Sequence, residues 1–203
     1  MENRLAVRLD TTENPAVPPF GFVLDYLAYG GLYREVWLDV RGADVIEDVF
    51  VTTPTLTRAE IALTVSGSGA RRRVTLLDAA GAVCTTAEGD DNEYYVNYSS
   101  ARPWTLDEPN LYSIRAELLD ASGTVTDEKT VRFGFRTAEF RRSGFYLNGE
   151  RVFLRGLNRH QCYPYMGYAA PEALQREDAR ILKEELCCTA VRTSHYPQSR
   201  HFI

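Results

Sequence analysis

The sequence has few cysteines and no long hydrophobic run, and both shortages exclude classes of protein. Among its 203 residues are four cysteines, Cys84, Cys162, Cys187 and Cys188, with no C-x-x-C spacing. The adjacent pair at 187 and 188 suits a disulfide poorly, so free thiols in a reducing compartment are predicted. No apolar run approaches the roughly 20 residues that span a bilayer, which argues against a membrane protein.

A basic surface is also missing. The chain has 23 Lys and Arg residues against 28 Asp and Glu, a net charge of -5. It therefore lacks the excess of positive charge that is typical of nucleic-acid-binding proteins. Its hydrophobic content of 44% and charged content of 25% are ordinary for a globular protein of one or two domains. The start, MENRLAVRLD, alternates instead of forming a signal-peptide core. That absence carries little weight, because we expect the N-terminus to be truncated here; a cytoplasmic location is the expectation.

Alternating apolar and polar residues fill the middle of the chain. This pattern predicts strands at 45–52, 59–66, 73–78, 93–99, 111–119 and 124–135. Short strands separated by turn signals over about 100 residues are typical of an immunoglobulin-like sandwich. No cysteine pair spans it, so packing alone must hold it, with Trp104 as a predicted anchor.

Two more strands are predicted before the sandwich, at 3–9 and 33–40, around a loop rich in proline, glycine and aromatics. Two strands cannot form a stable sandwich alone. We therefore expect this segment to dock elsewhere or to have partners upstream of Met1.

The last sixty residues predict a β/α unit. Asn148-Gly149 is the turn of a hairpin, a helix begins at Pro171 and continues to about 186, and a strand follows at 189–192. Polar residues stand at the strand ends, where a (β/α)₈ barrel builds its active site. The predicted fold is mainly β, an immunoglobulin-like β-sandwich followed by an incomplete (β/α) barrel start.

Two histidines end the candidate barrel strands. If the strands are parallel neighbours, about 4.8 Å apart, His160 and His195 both face one cup. Ser194 as a nucleophile is disfavoured, because adjacent strand residues point to opposite faces. A zinc site made of Cys162, Cys187 and His195 is disfavoured because its spacing matches no recurring zinc pattern.

These segments resemble glycoside hydrolase family 2, the β-galactosidase and β-glucuronidase group. RGLNRH at 155–160 and AVRTSHYP at 190–197 resemble the start of its barrel, and FGFVLDYLAYGGLYREVWLDV at 20–40 resembles the end of its sugar-binding domain. WTLDEPNLY at 104–112 and GFR at 134–136 resemble landmarks of its immunoglobulin-like domain. The resemblance implies a C-terminal jelly-roll remnant at 1–41, a sandwich at 42–138 and the N-terminal part of a TIM barrel at 139–203.

The resemblance also implies roles for site residues. Asn158, His160 and His195 would contact sugar hydroxyls, while Arg192, expected to face inward and be buried, would orient a catalytic glutamate with Arg159 in support. Asp25, six residues before the Gly31-Leu-Tyr-Arg34 run, would contact sugar hydroxyls and a monovalent cation. Full-length relatives would use Mg²⁺ and Na⁺.

The catalytic residues themselves are expected outside this sequence. A retaining glycosidase needs two carboxylates about 5–5.5 Å apart, and the family's two glutamates would lie beyond Ile203. Glu172, Glu177, Glu184 and Glu185 do not substitute, because they belong to a helix outside the barrel. The resemblance thus implies part of a retaining hydrolase of β-galactosides that is inactive alone and needs the missing jelly-roll and barrel segments. The chain departs from the family where Cys187, Cys188 and Thr189 replace the usual Gly-Phe-Asn. A glycine normally ends that helix in the left-handed backbone conformation, which cysteine adopts poorly.

Other functions stay open. One alternative is a β-sandwich module that binds a protein partner, and another is a non-catalytic carbohydrate-binding protein that uses Asp25, His160 and Trp104. A homo-oligomer is left open, and neither nucleic acid nor a membrane is expected as a partner.

Overall fold

The computed structural model describes residues 4–12, 14, 16, 29–67 and 71–203. The chain divides into two compact units, one formed by Met1–Leu38 with Leu154–Ile203 and the other by Asp39–Phe153. The domain limits expected from the sequence, 1–41, 42–138 and 139–203, stay predictions.

The second unit contains a sandwich of two antiparallel sheets, as predicted. Its strands are β1 (Val45–Thr55), β2 (Arg58–Ser66), β3 (Arg71–Leu77), β4 (Val83–Gly89), β5 (Glu93–Asn97), β6 (Tyr112–Leu119) and β7 (Val125–Phe133). One sheet has the order β1-β2-β5 and the other β4-β3-β6-β7. The mainly β class and the immunoglobulin-like sandwich are confirmed. Strand β4 is not among the predicted strands, because its sequence VCTTAEG alternates weakly, and none of its residues is fully buried.

The core lies between the two sheets. Inward-facing residues of both sheets are fully buried there, among them Ile46, Ile61, Leu76, Ile114 and Leu118. Removing such side chains from water is the main favourable term in folding. The sandwich is thus held by packing, without a disulfide, since all four cysteines are free.

Trp104 is a packing anchor, as predicted. A side chain at Gly134 would place its first carbon 2.6 Å from the Cβ of Trp104, so the indole needs a glycine beside it. The Arg136 guanidinium lies 4.7 Å from the ring centroid, and the Trp104 carbonyl accepts a hydrogen bond from Asn148 Nδ2 at 2.9 Å. The anchor therefore joins the loop before β6 to the segments after β7.

A charged pair is embedded in the four-stranded sheet. Arg73 donates from Nε and Nη2 to the two carboxylate oxygens of Glu117, at 2.7 and 2.9 Å. The Glu117 side chain is only 6% exposed. The hydrogen bond from Arg73 lowers the pKa of Glu117 below its ordinary 4.5, although burial opposes this change.

A short sheet follows the sandwich in the same unit. It comprises β8 (Ala138–Arg141), β9 (Gly144–Leu147) and β10 (Glu150–Val152), in the order β10-β9-β8. Asn148 and Gly149 have φ of 53° and 84° at the β9–β10 turn, which confirms the Asn-Gly hairpin.

The first unit contains the predicted β/α unit. Strands β11 (Gly156–Arg159) and β12 (Ala190–Thr193) pair in parallel and are connected through α1 (Glu172–Arg180). The helix continues as a π-helical turn over Ile181–Glu185. The predicted span of 171–186 is thus correct to within a residue, and its last turn is wider than an α-helix.

The two strands expected before the sandwich are wrong. Neither 4–9 nor 33–40 forms a strand in the part of the chain that the structure describes. A strand needs a hydrogen-bonding neighbour, and neither segment pairs with another described strand. No helix among the described residues is long and apolar enough to cross a membrane.

Candidate functional site

The register of β11 and β12 determines which polar residues meet. Asn158 pairs with Arg192, and Arg159 pairs with Thr193. Because successive strand residues face opposite sides, Asn158 and Arg192 share one face, where Arg192 Nη1 lies 3.5 Å from Asn158 Oδ1. Arg192 is exposed in this chain, and its burial and its role beside a catalytic glutamate stay predictions.

The two histidines lie side by side beyond these strands. The rings of His160 and His195 are 5.5 Å apart at their centroids and meet edge to face at 72°. Arg192 Nη2 lies 3.3 Å from Nδ1 of His195. Because a guanidinium only donates, Nδ1 is the acceptor in this contact. Asn158, His160, Arg192 and His195 are hereafter the strand-end cluster.

The strand-end cluster combines hydrogen-bond donors and acceptors without a carboxylate of its own. Asparagine and neutral histidine can each donate and accept, and arginine adds a fixed positive charge. Such a set can bind and orient hydroxyl groups. It contains no pair of carboxylates that could act as acid and nucleophile.

Ser194 is not presented for attack on a substrate. It is fully buried, and its hydroxyl accepts a hydrogen bond from Arg192 Nη1 at 3.2 Å. The peptide bond between Ser194 and His195 is cis. Across the described ranges, no three His, Cys, Asp or Glu side chains are grouped to hold a metal ion, and this includes Cys162, Cys187 and His195.

The buried arginine of this unit is Arg159. It is 5% exposed, and its Nε and Nη2 donate to Asp178 Oδ2 at 2.9 and 2.7 Å. Gln175 and Gln198 accept from Nη2 and Nη1 at 2.6 and 2.5 Å. The sequence did contain a signal for this network, because Asp178 interrupts the apolar face of the helix.

Tyr163 extends this network to the loop after β11. Its hydroxyl donates to Asp178. Burial, reinforced by the bond to this carboxylate, raises the pKa of Tyr163 to about 12. Together Arg159, Asp178 and Tyr163 fix α1 to the end of β11, from which His160 projects.

Aromatic rings pack around the histidine pair. Tyr196 contacts His160 at a centroid distance of 6.2 Å and Tyr168 at 4.5 Å, and Tyr168 contacts Tyr29 at 4.8 Å. The hydroxyl of Tyr196 accepts a hydrogen bond from the backbone N–H of Gln161 at 3.0 Å. These contacts continue to a cavity of about 640 Å³ lined by Tyr29 and the 162–167 loop.

At the end of the helix, where cysteine replaces the glycine usual in the family, the backbone is strained. Cys187 has φ of 50°, the left-handed conformation that glycine adopts most easily. The amide of the next residue, Cys188, donates to the Leu182 carbonyl at 2.8 Å. The left-handed turn expected of glycine is therefore formed by cysteine.

The remaining candidates stand apart from the cluster or cannot be placed. Asp25 lies outside the described residues, so its contacts to sugar and cation stay a prediction. Glu172 pairs with Arg176, while Glu177, Glu184 and Glu185 pair with Arg180. The Mg²⁺ and Na⁺ expected for full-length relatives stay a prediction.

Two family models match nearly four fifths of the chain between them. Glycosyl hydrolases family 2 matches residues 45–136, and the TIM barrel domain of the same family matches 138–203. The second match contains the whole strand-end cluster.

Known proteins of this family align over the chain. A β-galactosidase of Thermoanaerobacter pseudethanolicus is 39% identical and one of Rhizobium meliloti 34%, each covering 100% of this chain. A β-glucuronidase structure from Ruminococcus gnavus, in complex with D-glucaro-d-lactam, has a TM-score of 0.70 and 28% identity over 78% of the chain. The chain spans 29% of the length of the two β-galactosidases and 27% of that structure.

The family matches agree with the architecture: a sandwich, then parallel strands with polar residues at their ends. These matches and this architecture together show that the chain belongs to glycosyl hydrolase family 2.

Proposed function

We propose that the protein to which this chain belongs is a retaining glycoside hydrolase that acts on β-galactosides. In this proposal the strand-end cluster contacts the hydroxyl groups of the sugar. The observation that carries it is the meeting of Asn158, His160, Arg192 and His195 at the ends of two parallel strands.

The chemistry of the cluster supports a polyhydroxylated ligand. Nδ1 of His195 lies beside Arg192, and imidazole and asparagine side chains can both donate hydrogen bonds to hydroxyl groups and accept them. The Arg159–Asp178–Tyr163 network holds the strand end that bears His160. Such supported side chains bind with less loss of conformational freedom than mobile ones.

A β-galactoside is favoured over a β-glucuronide as substrate. The relatives at 39% and 34% identity are β-galactosidases, while a putative β-glucuronidase of Formosa agariphila is 32% identical over 97% of the chain. The Asp25 loop and the Asn158-Arg159-His160 segment also support this choice by their resemblance to β-galactosidases.

We further propose that the 203-residue chain is inactive alone. The glutamates along the helix bond to arginines, and the family's catalytic pair is expected beyond Ile203. Purified chain should show no turnover of 4-nitrophenyl β-D-galactoside. Turnover that His195→Ala abolishes would contradict this.

The function is tested on the native protein carrying this sequence, isolated with an antibody to residues 45–136. Its mass would be measured, and its hydrolysis of aryl β-D-galactoside and aryl β-D-glucuronide compared. Preference for the galactoside is expected, and His195→Ala should lower kcat/KM about ten-fold or more, because one hydrogen bond is worth about 1 kcal/mol and more when a buried partner is left unpaired. Arg176→Ala, on the exposed helix surface, is the matched control.

A further inference from the structure

The outer side of the β1-β2-β5 sheet carries two aromatic side chains where polar ones are the rule. Phe50 on β1 and Tyr95 on β5 are each 62% exposed. Their neighbours Val49 and Val96 point into the core. A solvated face of an antiparallel sheet is normally polar, so two exposed rings on one such face call for an explanation.

The two rings flank a cleft of about 470 Å³. The strand register aligns Phe50 with Ala62 and, in the next row on the same face, Glu60 with Tyr95. Ala62 lies on the central strand β2 between the two rings, and its small side chain leaves space there for a ligand. Because β1 and β5 are two strand spacings apart, about 10 Å, the cleft has the width of roughly one or two hexose rings.

One wall of the cleft is charged and ordered. Arg58 binds Glu60 Oε1 through Nε at 3.1 Å and Nη2 at 3.0 Å. Its guanidinium also lies 4.6 Å from the centroid of the Tyr95 ring, which holds that ring beside the cleft. A guanidinium has five donors and a carboxylate about four acceptor sites, so the pair has capacity for ligand hydroxyls.

We propose that this cleft is a second saccharide-binding site, for a neutral hexose oligosaccharide, on the sandwich. Sugar rings have apolar C–H faces that suit Phe50 and Tyr95, and hydroxyl edges that suit Arg58 and Glu60. The charges of Arg58 and Glu60 balance and Glu93 adds a negative charge, which disfavours uronates and phosphates.

The size of the cleft favours a small ligand over a protein partner. Its volume lies within the roughly 300–1,000 Å³ of small-molecule sites. Nine residues line it, whereas a stable protein interface uses about 20–30 residues on each side. The site lies wholly in the sandwich unit and uses none of the strand-end cluster, so it does not depend on the proposed hydrolase activity.

The test is saturation-transfer NMR on the 203-residue chain with β-1,4-galactobiose, and with digalacturonic acid as the anionic probe. We expect transfer to the neutral disaccharide and little to the anionic one. Phe50→Ala and Tyr95→Ala should each weaken binding by about three- to ten-fold, the loss of one aromatic contact. Both side chains are largely exposed, so each variant should keep the melting temperature.

Phe140→Ala is the control, because Phe140 is also exposed, at 84%, but lies outside the cleft. No transfer to galactobiose, or an equal loss in Phe140→Ala, would overturn the site. Dimer dissociation by Phe50→Ala without sugar binding would instead identify a protein interface and equally overturn it. Hydrolysis by the native protein is a separate measurement, so failure here is distinguishable from failure of the proposed function.

Discussion

At the scale of single residues, Arg159 is the buried ion-pair residue of the first unit, which contains β11, α1 and β12 and is called the barrel unit from here on. It is buried, and Asp178, Gln175 and Gln198 all accept its hydrogen bonds. Arg159→Ala would leave Asp178 without its cationic partner in a partly buried place, so we expect a loss of about 3 kcal/mol in the free energy of unfolding. Urea denaturation measures it.

Arg176→Ala is the control for this change. Arg176 forms an exposed i,i+4 pair with Glu172 at 2.7 Å, and such pairs contribute about 0.3–0.5 kcal/mol. Equal losses in the two variants would contradict a special role for Arg159.

Glu117 should make the sandwich sensitive to acid. Arg73 lowers the pKa of Glu117 in the folded protein below its ordinary 4.5. A lowered folded pKa means stability that is present above about pH 4.5 and lost as pH falls through the folded pKa. Glu117→Gln should therefore flatten the decline of the melting temperature below pH 4.5, with Glu88→Gln as a more exposed control. An unchanged acid decline in Glu117→Gln would contradict it.

The two histidines could be predicted from the sequence because each follows a short apolar strand, and parallel strand ends meet at one edge. The burial of Arg159 could not be predicted in the same way. A strand of four residues does not reveal which of its two faces is buried, and Arg159 and Arg192 lie in successive rows of the register, on opposite faces of the sheet. Only the position of Asp178 on the packed helix distinguishes them.

At the scale of elements, replacing Cys187, which ends the helix in the left-handed conformation, should increase the stability of the protein. A non-glycine residue in this conformation costs about 1–2 kcal/mol, while glycine adds flexibility to the unfolded chain worth about 0.4–1 kcal/mol. Cys187→Gly should therefore raise the free energy of unfolding by about 0.5–1 kcal/mol.

The neighbouring position supplies the comparison. The backbone φ of Cys188 is not positive, so Cys188→Gly should destabilise the protein. Stabilisation by Cys188→Gly, or destabilisation by Cys187→Gly, in thermal unfolding would refute this account of the helix end.

Alternation predicted strands well where a sheet was available and failed where it was not. Six sandwich strands were found because each has a partner and buries one face. The pattern at 33–40 has the same period but no paired neighbour among the described residues, while β4 has a partner and a weak pattern. Alternation of apolar and polar residues thus indicates that a segment suits a half-buried strand, and a hydrogen-bonding neighbour decides whether the strand forms.

At the scale of the whole molecule, the sandwich unit should resist proteolysis longer than the barrel unit. The sandwich unit has a continuous buried core, whereas the described barrel unit has one short helix and two four-residue strands. Limited digestion should leave a fragment close to residues 39–153, identified by mass spectrometry. Equal resistance of residues 154–203 would show that the barrel unit is as stable as the sandwich.

We propose that this family 2 chain contributes sugar contacts to a β-galactosidase. The most direct test is the kinetics of the native protein on 4-nitrophenyl β-D-galactoside and 4-nitrophenyl β-D-glucuronide, with and without His195→Ala. Preference for the galactoside, with kcat/KM reduced in the variant, is the predicted result. Preference for the glucuronide, or a His195→Ala variant as active as the unmodified protein, would contradict this proposal.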